Sequence, residues 1–150
     1  MPQRLQQFYH QAQQIFDLTL AQQALEIPLN ASDLCYPFVL TELRLRYLGA
    51  KGDEAGLLRL NQALAFMHFR LFDRAMEVLR DARVIRTQGV SQGTLDYYTG
   101  ICLLHLGNVY VPEAVQAFNQ ALKYPLATLF GPEGPLVAPL AKQALEDLKP

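Results

Sequence analysis

Three histidines, His10, His68 and His105, and two cysteines, Cys35 and Cys102, are the side chains in these 150 residues best suited to metal or nucleophilic chemistry. Their spacing supports neither. The histidines fall in three separate predicted helices, and no H-E-x-x-H pair sets two imidazoles on one helical face around a zinc ion. The cysteines do not form a C-x-x-C pair, and no Cys–His spacing marks an activated thiolate. There is no G-x-S-x-G elbow to expose a serine and no glycine-rich loop to cradle phosphate. The stretch GTLDYYTG, Gly93 to Gly100, has glycine at both ends. No predicted strand precedes it, so it lacks the context of a dinucleotide site. The expectation is a chain with no catalytic residues, no cofactor and no bound metal.

Charge gives little direction either. Arg74, Arg80, Arg83 and Arg86 lie along one predicted helix among Asp73, Glu77 and Asp81. Glu77 and Arg80 are three apart and can pair, which predicts a solvated, self-neutralising face. Arg44, Arg46 and Lys51 form a smaller group with the same reading. A net charge of −1 offers no electrostatic footprint for nucleic acid or an anionic membrane surface. No run is long and apolar enough to span a bilayer, and MPQRLQQFYHQAQQ lacks the apolar core of a signal peptide. Buried, reduced cysteines are expected, with a single disulfide as the alternative; together these features predict a cytoplasmic protein.

The elements follow from composition and periodicity. Hydrophobic residues make up 51% and charged residues 18%, which predicts a single buried helical domain over 1–150. Residues 3–25 carry Leu5, Phe8, Ala12, Ile15, Phe16 and Leu20 at helical spacing against a glutamine-rich face. Pro28 ends that element, and a second helix is expected by 33–48 before the turn GAKGD, Gly49 to Asp53. Helices are then predicted over 54–69, 72–86, 92–107 and 111–124, with the loop Thr87 to Gly93 between the middle two and Ser91 as a cap. An apolar piece LATLF and the turn GPEGP precede a last helix at 136–148. The class is all-α, with seven helices and no strand.

Two of these helix pairs share a pattern. In Leu95 to Pro125, Gly100 and Gly107 lie in and at the end of the first helix, Ala114, Phe118 and Ala121 share a face of the second, and Pro125 stops it. In Leu60 to Arg83 the corresponding residues are Ala63, then Phe72, Ala75, Leu79 and Ala82. Small residues at a helix contact, with one large apolar residue between them, allow close approach. This pattern resembles the tetratricopeptide repeat, with units at 54–86 and 92–125, the pair at 3–48 as a degenerate unit and 136–148 as a capping helix. Arg70 stands where that pattern has a turn glycine, and no proline follows Ala82. About two extra residues separate Gly107 from Ala114 relative to the consensus.

The resemblance implies a solenoid of helix hairpins that binds other proteins in a concave groove lined by the first helix of each pair. Carried over by position, the groove residues are Leu57, Leu60, Leu64 and Met67 in one unit and Thr94, Tyr97, Ile101 and Leu104 in the next. They imply an apolar surface for a hydrophobic or amphipathic segment of a protein or peptide partner, the work of an adaptor or assembly chaperone. Secretion-type helical-repeat chaperones are similar in size and repeat type. The subtype that grips a terminal carboxylate is not implied, because only Asn61 falls at a suitable place and the basic residues are missing. Two alternatives stay open: the groove is filled by a terminal helix, or it closes on a second copy to give a homodimer.

Overall fold

Asp53 and Glu54 place two carboxylates in the first turn of helix α1 (Gly52–His68), where the helix dipole favours negative charge. The structure, a computed structural model, describes residues 49–131 and 133–149, together with Gln3, Gln6, Gln7, 10–14 and Leu45. After α1 come α2 (Phe72–Asp81), α3 (Gln92–Leu106), a 3-10 turn (Asn108–Tyr110), α4 (Val111–Ala121) and α5 (Val137–Asp147). Among the described residues there is no strand, only two isolated bridges, Gly89 with Ala127 and Thr128 with Leu136. The described part is all-α, as expected. Of the predicted helices at 3–25 and 33–48, residues 10–14 and Gln3, Gln6, Gln7 and Leu45 are helical; the rest, Cys35 included, lie outside the described residues.

Each helix packs on the next, α1 on α2, α2 on α3, α3 on α4 and α4 on α5, and α5 also reaches α3. One buried cluster runs through them, with Ala63, Ala75, Cys102, Ala114, Phe118, Ala121 and Ala141 wholly excluded from solvent. Ala12 belongs to it, so the helical turn at 10–14 is joined to the same core. The alanines let the helices approach, and Phe118 fills the space they leave. Its ring lies where a Cβ on Gly100 would come within 2.6 Å of Cε1, so α3 and α4 meet at a contact only glycine fits.

The turn between α1 and α2 is closed by Arg70, at φ 60°, in the left-handed conformation for which the repeat pattern supplies glycine. Its N–H donates to the carbonyl of Met67 (2.9 Å), and that of Leu71 to Phe66 (2.9 Å). A non-glycine residue thus holds a left-handed backbone here.

Helix α2 ends five residues before the predicted limit at 86. Ala82 turns extended, at φ −83° and ψ 134°, and the Arg83 guanidinium donates to the carbonyls of Arg80 (2.8 Å) and Ala82 (2.7 Å). The next amides find partners outside any helix. The Val84 N–H donates to Gln92 Oε1 (2.9 Å), and those of Ile85 and Arg86 donate to Asp53 Oδ1 (2.6 Å) and Oδ2 (3.2 Å). A carboxylate accepting two backbone N–H groups satisfies donors that would otherwise need helical partners.

The chain leaving each second helix crosses back over the start of its own first helix. After α2 it passes Gly56, whose Cβ would collide with the Arg83 carbonyl and lie 2.8 Å from Val84 Cγ2. After α4 it passes Gly93, whose Cβ would lie 2.7 Å from Tyr124 Cβ and 2.8 Å from Ala127 Cβ. The Asp53 carboxylate fastens the first crossing. The second is fastened by backbone, the Gly89 N–H donating to the Leu126 carbonyl (3.2 Å) and the Thr128 N–H to that of Gly89 (2.8 Å).

Candidate functional site

Six of the eight residues that the repeat pattern points to keep part of their surface open. On α1 these are Leu57, Leu64 and Met67; on α3 they are Tyr97, Ile101 and Leu104. All six pack against the central cluster, so the face they form is the outer layer of the core. The two rows stand on helices that each pack on α2.

Leu60 and Thr94 do not belong to this face. Leu60 is 3% exposed, on a helix that also buries Leu58, Gln62, Ala63, Ala65 and Phe66 and is therefore covered on more than one side. Thr94 is fully buried. Its hydroxyl donates to the Thr128 carbonyl (2.5 Å) and accepts the Ser91 N–H (3.2 Å). It closes the N-terminus of α3, which Ser91 caps as expected, and holds the returning chain.

Tyr97 leans toward α4. Its ring centroid lies 5.8 Å from that of Phe118 and 5.9 Å from that of Tyr98. Burial raises the hydroxyl pKa of both tyrosines. The neutral Tyr98 hydroxyl is directed at the Leu129 carbonyl at 3.5 Å.

The histidines flank the face. His105, in the last turn of α3, stacks on Phe72 at the start of α2 with centroids 4.1 Å apart and planes 3° from parallel. The Arg70 guanidinium lies 5.6 Å from the same ring centroid. This cluster ties the α1–α2 turn to the end of α3 through stacking and cation–π attraction. His68 meets Phe69 edge-on at 5.8 Å. Among the described residues no group of three or more His, Cys, Asp or Glu side chains could hold a metal ion. Cys102 is buried and unoxidised, and burial pushes its thiol pKa up to about 12, so it carries no thiolate at neutral pH.

Arg74 in α2 and Arg86 beyond its end both turn to the chain itself. Arg74 pairs with Glu77 (3.2 Å), in place of the expected Glu77–Arg80 pair, and the Arg86 Nε–H donates to the Val90 carbonyl (2.8 Å). Asp96 is the perturbed acid. Burial raises its pKa, opposed by a hydrogen bond from Gln92 (3.3 Å) and by the charges of Arg83 and Lys123.

Two features went unremarked in the periodicity. Leu122, Leu126, Phe130 and Leu136 are exposed around the α4–α5 connection, where the Leu129 N–H donates to the Pro135 carbonyl and the Val137 N–H to that of Ala127. The run LATLF carried this signal, but its exposure depends on which neighbours cover it. The second is an open groove of about 450 Å³ between α4 and α5, floored by Val115, Leu145 and Leu148. Among the described residues no helix is long and apolar enough to cross a membrane. No protein-family model matches this chain, and neither a curated protein nor a solved structure matches it.

Proposed function

We propose that this chain is a non-catalytic protein-interaction module, an adaptor or assembly chaperone holding an apolar or amphipathic segment of a partner protein. The docking face is Leu57, Leu64 and Met67 of α1 with Tyr97, Ile101 and Leu104 of α3. The observation that carries this reading is that six apolar side chains on the first helices of successive pairs keep part of their surface exposed while seated on one core. Apolar anchors at helical spacing on a rigid support suit a helix or extended peptide with matching side chains. Met67 adds an adaptable surface. The architecture proposed with it is a tetratricopeptide-like solenoid. Supporting this are the two hairpins that close in the same way at Gly56 and Gly93, and the left-handed Arg70 at the turn position. The buried thiol of Cys102 fits a reducing cytoplasmic setting.

The test compares wild type with Leu64→Glu and Ile101→Glu in affinity capture from the native lysate, with circular dichroism establishing that all three fold. A protein retained by wild type and lost from both variants is the expected result. Retention unaltered by either charge refutes the face. Loss of helical signal in both variants would make these positions interior and refute it equally.

A further inference from the structure

Arg80, Arg83 and Arg86 do not form the self-neutralising face that their spacing predicts. Arg80 is exposed, and among the described residues no carboxylate pairs with it. Arg83 and Arg86 are exposed too, and backbone holds each by part of its guanidinium. Arg83 donates through Nη1 to the carbonyls of Arg80 (2.8 Å) and Ala82 (2.7 Å). Arg86 donates through Nε to the Val90 carbonyl (2.8 Å). No bond among the described residues takes up the Nε–Nη2 edge of Arg83 or the two terminal nitrogens of Arg86. A guanidinium fixed on one side and open on the other is preorganised for a carboxylate. It meets both oxygens as a fork and has little freedom left to lose.

Neighbouring acids are engaged elsewhere. Asp53 accepts the amides of Ile85 and Arg86, Glu77 pairs with Arg74, and Asp96, although it feels Arg83, accepts from Gln92. Asp81 stands exposed beside Arg80. Between the two held arginines lies Ile85, 88% exposed. The amides of Val84, Ile85 and Arg86 are all bonded inside the molecule, and the Val84 side chain is buried. The segment is therefore fixed while Ile85 faces water. Arginine anchors around an apolar side chain are what binding hot spots are made of.

We propose that Arg80, Arg83, Ile85 and Arg86 form a second docking surface, for an acidic segment of another protein that carries an apolar residue among its carboxylates. It shares no residue with the face on α1 and α3 and does not depend on it. Charge complementarity selects the occupant. Asp81 and Asp53 lie among the arginines, so the continuous phosphates of a nucleic acid meet repulsion that spaced carboxylates avoid.

Fluorescence anisotropy of the full chain with two short labelled peptides tests this, one alternating glutamate with valine and the other lysine with valine. Wild type should bind the glutamate peptide, less tightly as salt rises, and leave the lysine peptide free. Arg80→Glu should weaken binding by about tenfold or more, by setting like charges together. Ile85→Ser should weaken it by about tenfold, through loss of the apolar contact. Both side chains stand in solvent, so the fold should survive, as circular dichroism checks. A glutamate peptide left unbound by wild type overturns the proposal. So does binding that either variant leaves unchanged, or tighter binding of oligouridylate than of the glutamate peptide.

Discussion

Gly100 and Phe118 permit a test in which one substitution changes the sign of another. A Cβ at Gly100 would lie 2.6 to 2.9 Å from three carbons of the Phe118 ring, which is wholly buried and cannot retreat. Gly100→Ala therefore overpacks the α3–α4 contact, which costs about 1–3 kcal/mol. Alanine in place of helical glycine returns about 1 kcal/mol. The net expectation is a loss of up to about 2 kcal/mol, or up to about 8 °C in melting temperature at about 2–4 °C per kcal/mol. Phe118→Ala should cost about 3–5 kcal/mol by emptying the space the ring fills. In that background the new methyl group enters a void, and only the helix-forming gain remains. Gly100→Ala should then stabilise by up to about 1 kcal/mol. Urea or thermal denaturation of the four proteins, followed by circular dichroism, gives the coupling directly. Additive effects, or a larger loss from Gly100→Ala in the Phe118→Ala background, would refute the packing described for this helix pair.

Other positions give simpler expectations. Asp53→Ala should cost about 1–2 kcal/mol by removing the acceptor of the Ile85 and Arg86 amides, and hydrogen exchange at those two amides should accelerate; unchanged exchange would show that the carboxylate does not hold the segment. Arg70→Gly should stabilise by roughly 0.5–1 kcal/mol, the relief of a left-handed backbone outweighing the lost attraction to Phe72, as a higher urea midpoint would report. Asp96 has a pKa raised above 3.8 by burial, so its ionisation disfavours the folded state. Stability from its neutral form is fully present below the unfolded value and is lost as pH rises through the folded one. Asp96→Asn should therefore gain on wild type between acid and neutral pH, by less than about 1 kcal/mol because the group is only part-buried and solvent screens it; a melting-temperature difference independent of pH would contradict this.

Features that depend on neighbours close in sequence were readable before any coordinates. All five named helices begin within two residues of expectation, and the Ser91 cap of α3 follows from rules of the first helical turn. The turn at Arg70 was legible as the break between the helices predicted at 54–69 and 72–86, although the arginine itself gave no sign of a left-handed backbone. Helix α2 was drawn too long because the partners that end it, Asp53 and Gln92, lie in other elements and no periodicity connects them. Thr94 was misassigned for the same reason, its hydroxyl being engaged by Thr128 far along the chain. Gly56 could have been found. It stands before Ala63 as Gly93 stands before Gly100, and a glycine repeated at one place inside two helices marks a close approach of backbone. Of the docking face, Leu60 failed because a residue's place in a repeat gives its direction, whereas burial depends on everything packed around the helix.

The returning chain at Gly56 and at Gly93 has a consequence for how such a molecule is assembled. Each hairpin is fastened to itself, at its own first turn, by contacts made within that one stretch. The Asp53 contacts span 32 and 33 residues, so closing them needs one whole hairpin but no part of the next one. A nascent chain could complete the first hairpin before the second has been synthesised. A stretch of gene encoding one such unit would carry its own fastening with it, while its apolar faces would still need a neighbouring unit to cover them.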